Sequence, residues 1–490
     1  MITDKFYQPS SPSGCFNQHG RFIRQQGVKL PLTVARDADY IFISDLHLSS
    51  VFSSVNSMYG SHGMNHLPER GSLDDVFSRF MAHFQNLALR QNRHLHLVLL
   101  GDAFDFLRVE NPSTDQVRYS LDTSENTMAE KIRQIASSHP AVFETLGRLV
   151  SAGFSLDVIP GNHDIELIWQ PTQTIFKELV VKACQGNFNQ HHLPQSHPIT
   201  FYPWIYHVPG VLYAEHGQQY HFINSFASLL PLVYATETRR ATTICKIEPP
   251  LGSHFEVYLS SLVKVAEPFL PNRSPSIANV FRTVLSHPAL LLKTMGSHTR
   301  FAVAANRDLL HRLLSWQSAK QRSRIEAIFQ RAASDMGLSA TTLAALYQMS
   351  QVSLASMFRS VLHKAGMFHP AGSSSSEKPT YGYLYQAALA IHQLLKNENM
   401  SVPYYIFGHT HQTARVPLDS SGDAQSAPSC YLNTGSWIGQ YTPPGSWTSP
   451  EPAALRFVRV SVRPGKPPIA EVLAWNDATG RPEPVFSFAS

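Results

Sequence analysis

Cysteine is scarce: Cys15, Cys184, Cys245 and Cys430 lie far apart in 490 residues, with no C-x-x-C pair among them. That excludes a disulfide framework and a thiolate zinc site, and fits reduced thiols in a cytoplasmic setting. Long apolar runs are also missing. No stretch of about 18 uncharged apolar residues occurs, and the most apolar run, Pro288 to Leu292, is followed by Lys293. The opening MITDKFYQPSSPSG lacks the apolar core of a secretory signal, so none is expected. Nor is there much charge of one sign. Lys and Arg number 40 against 35 Asp and Glu, and the resulting +5 is too small to argue for nucleic acid by itself. With 43% hydrophobic and 15% charged residues, the chain reads as an ordinary folded protein. Its length exceeds one usual core, so two domains, or one core with a large insertion, are expected. Histidine is plentiful, with 24 copies, and their positions carry the argument.

Residues 1–35 are polar, punctuated by Pro, Ser, Gln and Gly, and read as a flexible arm. Five short apolar runs follow: Tyr40 to Ser44, Leu95 to Leu100, Phe154 to Ile159, Val211 to Glu215 and Tyr404 to Phe407. Near-continuous apolar character is that of strands covered on both faces. Helical spacing appears between them, as in Leu73 to Asn92 and in Ala141 to Ala152, which Gly153 closes. The alternation predicts an α/β layered core. From 225 to 379 apolar residues recur mostly at helical spacing, which predicts a helical cap inserted between core segments 36–224 and 380–490. A further helix is expected from Tyr383 to Lys396, then strands around Ser429 to Asn433, Leu455 to Val462 and Ile469 to Trp475. His94 and His96 alternate along the second run and are expected to face solvent or a helix layer.

Polar blocks sit at the exits of the five runs: Asp45-Leu46-His47, Gly101-Asp102-Ala103-Phe104-Asp105, Gly161-Asn162-His163-Asp164, His216-Gly217 and Gly408-His409-Thr410-His411. In an open α/β sheet the carboxyl ends of strands gather on one edge, where ligands bind. Residues more than 350 positions apart can therefore converge. Carboxylate, amide and imidazole donors suit divalent Mn, Fe or Zn better than Ca²⁺ or Cu(I). Asp102 could offer one oxygen to each of two ions, and such a pair binds phosphoryl oxygens and turns a bridging water into a nucleophile near neutral pH. Each block alone is commonly turn chemistry. It is the ordered set of five, each behind an apolar strand, that points to a metal centre.

These blocks, in this order, resemble the calcineurin-like metallophosphoesterase superfamily over roughly 38–224 and 380–445. The resemblance implies a four-layer α/β/β/α sandwich with a large helical insertion. It implies Asp45, His47 and His411 on one metal ion, Asn162, His216 and His409 on the other, and Asp102 bridging. It also implies a non-ligand His163 that protonates the leaving oxygen, with Asp105 orienting its ring. His207 and His221 stand near enough to compete with His216 for its role. The implied activity is hydrolysis of a phosphoester or pyrophosphate bond by metal-activated hydroxide, with two divalent ions, Mn²⁺ first and Fe or Zn²⁺ as alternatives.

Phe106-Leu107 follows the second block where protein Ser/Thr phosphatases carry a phosphate-gripping arginine, which argues against that branch. Asp105 stands where purple acid phosphatases have a tyrosine ligand. ISDLHLS, LLGDAFDF, the HG block and GHTH followed by LNTGSW (Leu432 to Trp437) look closer to the UDP-diacylglucosamine pyrophosphohydrolase group. That group has arginine at the position of His163 and a much shorter cap. Expected substrates are thus nucleotide-, sugar- or lipid-linked phosphates. Between Pro271 and Ile325 nine Lys and Arg face a single acid, Asp308. Interleaved with apolar residues, they suit peripheral contact with anionic lipid headgroups, or else form a solvated helix face. The same basic stretch keeps open a nuclease, although no array of base-stacking aromatics accompanies it. A non-catalytic binding scaffold is the third alternative.

Overall fold

The computed structural model describes residues 37–50, 66–67, 71–109, 121–123, 125–184, 199–221, 223–226, 248–260, 303, 330, 332–350, 382–419, 428–438 and 455–486. The expected N-terminal arm and the basic stretch 271–325, apart from Val303, lie outside them.

The described part opens with β1 (Ala38–Ile43), β2 (Leu48–Ser50) and the two-residue strands β3 (His66–Leu67) and β4 (Gly71–Ser72). Helix α1 (Leu73–Gln91) leads to β5 (His94–Leu100) and β6 (Phe104–Val109), and then to α2 (Glu125–Ser138) and α3 (Pro140–Ser151). Next come β7 (Ser155–Ile159), α4 (Gln170–Cys184), β8 (Ile199–Phe201), β9 (Tyr206–Val208) and β10 (Leu212–Ala214). Within the expected insertion lie α5 (Leu251–Phe255), continued by a π turn over Glu256–Ser260, and α6 (Ala340–Ser350). Helix α7 (Tyr383–Asn397) returns the chain to β11 (Tyr404–Phe407), β12 (Thr413–Pro417) and β13 (Cys430–Thr434). Strands β14 (Arg456–Arg463), β15 (Lys466–Asn476) and β16 (Arg481–Pro484) complete the described part.

Two mixed sheets result. The first runs β16-β15-β14-β1-β5-β7-β8, with β1, β5, β7 and β8 parallel and β14, β15 and β16 antiparallel. The second runs β12-β13-β11-β10-β9, with β13, β11 and β10 parallel. The five apolar runs are all strands, divided three and two between the sheets.

Alternation along β1 shows how this is held. Tyr40 and Phe42 meet Val98, Leu100, Ile159, Tyr206, Leu212, Ile406 and Leu432 in a core between the two sheets. Ile41 and Ile43, one residue out of step, join a second core with Phe77, Phe80 and Phe84 of α1, Ile132 of α2, Phe143 and Leu146 of α3 and Phe176 of α4. Leu384, Ile391 and Leu395 of α7 and Leu343 and Leu346 of α6 pack with Tyr405 and Phe407. Each such buried side chain contributes about 1.5–3 kcal/mol over its exposed state, which explains why strands covered on both faces read as continuous apolar runs. The expectation for His94 and His96 was wrong. His96 stacks on Tyr40 at 4.5 Å and sits 2.9 Å from Asp157, which also accepts a hydrogen bond from Tyr206, so it lies on the face that meets the second sheet. His94 reaches Ser155 at 2.8 Å on that same face. Among the described residues no helix is long and apolar enough to cross a membrane.

Candidate metal centre

Where β1, β5 and β11 end, the backbone turns left-handed at residues for which that conformation is costly. Asp45 has φ 54°, His47 47°, Asp102 52°, His409 68° and His411 58°. These are five of the eight non-glycine residues with positive φ among those described, so the strain is concentrated at one place. Hydrogen bonds between loops hold it there. Asp45 N donates to Gly101 O at 3.1 Å, His47 N to Asp102 O at 2.9 Å, Phe106 N to His163 O at 3.1 Å and Gly408 N to His216 O at 3.1 Å. Gly161 permits a close approach, since a Cβ there would overlap Asp102 and the His216 ring.

Three groups of ligand atoms form, each able to hold a metal ion: Asp45, His47 and His411; His47, Asp102 and His163; Asp102, His216 and His409. In the first, Asp45 Oδ1 lies 3.1 Å from His411 Nε2, and His47 Nε2 is 3.4 Å from His411 Nε2. In the third, Asp102 Oδ2 is 3.3 Å from His216 Nε2. Asp102 links the groups, because the same Oδ2 is 4.0 Å from His47 Nε2. The structure therefore brings together all six of these expected His and Asp ligands. Asn162 is buried at the same edge, and the next residue ties it in, His163 N donating to Asp102 Oδ1 at 2.8 Å.

The donor set fits a cation. Asp45 Oδ1, Asn162 Oδ1 and His216 Nε2 are buried without a hydrogen-bond partner. A buried polar atom left this way costs about 1–3 kcal/mol, a cost that a bound positive ion would relieve. The other His216 nitrogen, Nδ1, lies 2.8 Å from Leu100 O and donates to that carbonyl, which leaves Nε2 as the lone-pair side. Burial alone would raise the Asp45 carboxyl, but His411 and His216 outweigh it and hold it at about 2. Asp102 is likewise held well below the usual carboxylate range against burial, chiefly by His216 and His163. Burial pushes His47 and His409 down, favouring the neutral ring that a metal needs. For His216 burial works downward too, yet Asp102 and Asp45 raise it to about 10, a measure of how strongly they attract a positive charge.

His163 stands apart through its partner. Its Nδ1 donates to Asp105 Oδ1 at 3.0 Å, with the side chain 16% exposed and Asp105 fully buried. Burial opposes its charge, but Asp105 and Asp102 raise its pKa to about 9. Of the two competitors for the place of His216, His207 turns away to Gly337 O at 3.2 Å. His221 stacks on Tyr383 and comes within 3.4 Å of His409 Nε2, beside the centre but outside the three groups.

Sequence reasoning missed the residues that brace the ligands. Asp164 is fully buried and accepts four backbone N–H groups: Gly161 at 2.6 Å, Asp102 at 3.1 Å, Ala103 at 2.9 Å and Phe104 at 3.2 Å. It thereby clamps the second and third blocks together. The LNTGSW segment does the same for the first and fifth. Asn433 Nδ2 donates to Gly408 O at 2.8 Å, while Ser436 Oγ and Trp437 N both reach Asp45 O at 3.3 Å. Ser44 Oγ donates to the Asp45 carboxylate and contacts Thr434 Oγ1 at 2.6 Å. The signal available was position: Asp164 ends a block already singled out, and LNTGSW follows β13 at the same sheet edge.

No protein-family model matches the sequence, and neither does any curated protein.

Proposed function

We propose that the chain is a dinuclear-metal-dependent phosphohydrolase that cleaves a phosphoester or pyrophosphate bond. One observation carries the reading: five strand ends from two sheets deliver seven donor side chains to one edge, with buried ligand atoms left unpaired there. We read the two sheets and their helices as the four-layer α/β/β/α sandwich of the calcineurin-like metallophosphoesterases. Asp45, His47 and His411 would hold one ion and Asn162, His216 and His409 the other, with Asp102 shared. Such a pair, Mn²⁺ first among candidates, supplies charge to neutralise the phosphoryl oxygens and lowers the pKa of a water.

The protein's own part in the reaction falls to His163 and Asp105. Geometry also admits His163 as a ligand. Its Nδ1, however, is committed to Asp105, and its partial exposure suits an acid that meets substrate. His163 gives the proton on its outer ring nitrogen to the departing oxygen as the P–O bond breaks, and water supplies the replacing oxygen. Asp105 keeps the ring in register and balances its charge. A nucleotide-, sugar- or lipid-linked phosphate in the cytoplasm is the substrate class this reading favours.

The test is elemental analysis of Mn²⁺-loaded protein, followed by turnover on phosphomonoesters, phosphodiesters and nucleoside-diphosphate sugars. Two ions per chain and hydrolysis of at least one class are expected. Tightly held metal with no turnover on any class would instead mark a binding scaffold.

A further inference from the structure

Arg108, on β6, lies against Asp105 at the rim of this centre and has no part in the chemistry above. It is 8% exposed, and its Nε lies 3.2 Å from Asp105 Oδ2, the carboxylate whose other oxygen holds His163. Asp105 Oδ2 itself accepts no hydrogen bond. The guanidinium instead turns to the insertion: Nε and Nη2 both donate to Glu256 Oε1, at 3.2 and 2.9 Å. Glu256 stands where α5 passes into its π turn, a distortion that frequently marks functional positions. The start of the same segment reaches the opposite side of the centre. Gly252 N donates to Ile223 O at 2.7 Å, and a Cβ at Gly252 would overlap Asn224, whose Nδ2 is 3.3 Å from His409 Nε2. Residues 250–260 thus span from the His409 side to the Asp105 side.

We propose that Arg108 is an anion subsite beside the metal centre that takes a phosphoryl oxyanion of the substrate, and that Glu256 occupies it as a built-in competitor until substrate displaces it. The identity of the anion rests on the phosphohydrolase reading. The geometry of the pair supports exchange. A guanidinium presents a planar fork that matches two oxygens of a carboxylate or phosphoryl group. Glu256 fills that fork with one oxygen for both N–H groups, whereas a phosphoryl group would offer one to each. Displacing Glu256 takes an acid away from Arg108, so the incoming charge replaces a charge.

The test is calorimetric titration of inorganic phosphate into the full chain, with metal content measured on each sample. Glu256→Gln should tighten phosphate binding about tenfold, the scale of one charge-assisted hydrogen bond. Arg108→Gln should abolish that gain, so the double variant binds phosphate like Arg108→Gln alone. Unchanged or weaker binding in Glu256→Gln at normal metal content would overturn the proposal and make the pair a structural strut. Should the variants fold poorly, hydrogen exchange on the wild-type protein decides. Amides 251–260 should exchange faster at saturating phosphate, and equal or slower exchange would contradict displacement. Because neither readout uses turnover, failure here is separable from failure of the phosphohydrolase reading.

Discussion

The two ends of the seven-stranded sheet handle buried charge in opposite ways. At the amino end of β1, Asp39 and Arg93 are buried and fully engaged. Arg93 bonds Asp39, Asp37 at 2.6 Å, and the carbonyls of Ala38 and Val462 at 2.9 Å each. Asp39 also accepts from Ser461 at 2.5 Å and from Arg459 at 3.3 and 3.2 Å. At the carboxyl end of the same strand, Asp45 is buried as deeply, yet its Oδ1 has no hydrogen bond and its backbone is left-handed. The sequence could complete a buried ion pair with its own side chains and did so where the role is structural. Where it did not, beside other His and Asp ligand atoms, the unmet valence leaves a group that could hold a metal ion.

Four substitutions probe that contrast, beginning with the most severe. Asp102→Asn removes charge from the carboxylate common to two ligand groups. It should strip bound metal and bring turnover below detection, and elemental analysis still finding two tight ions would refute the bridging role. His163→Gln should retain metal while lowering turnover on activated phosphoesters by about 10²–10⁴-fold, whereas an unchanged rate would remove it as the acid. At the structural end, Asp39→Asn should cost about 3 kcal/mol at neutral pH by leaving Arg93 underpaired, read by denaturant unfolding, with metal content unaffected. Burial would raise the Asp39 pKa, but Arg93 and Arg459 bring it below the ordinary 3.8. A depressed folded pKa gives stability that is present above the unfolded value and lost as pH falls through the folded one. The gap between wild type and Asp39→Asn should therefore close below about pH 3.8, and a gap constant into stronger acid would contradict this origin. Gly161→Ala, the mildest, should cost about 2 kcal/mol through overpacking against Asp102 and His216. Unlike Asp39→Asn, it should also weaken metal binding.

The strands were legible because burial on both faces leaves an apolar signal, as in β10 and β11, and the ligand blocks because each follows such a run. Pairing was not legible. Nothing in the run at Tyr404–Phe407 distinguishes joining β10 from joining β1, and the split into two sheets emerges only from the register. His96 was misjudged for the same reason, since facing a second sheet and facing solvent leave one alternation pattern. Asp164, Asn433 and Glu256 act through contacts across loops or between the core and the insertion, which leave no periodicity to read.

Anomalous scattering from crystals of the Mn²⁺-loaded protein tests the central claim most directly. The account predicts two peaks roughly 3.5–4 Å apart, one among Asp45, His47 and His411, the other among Asn162, His216 and His409, with Asp102 touching both. Manganese bound elsewhere, or no peak between Asp45 and Asp102, would contradict it.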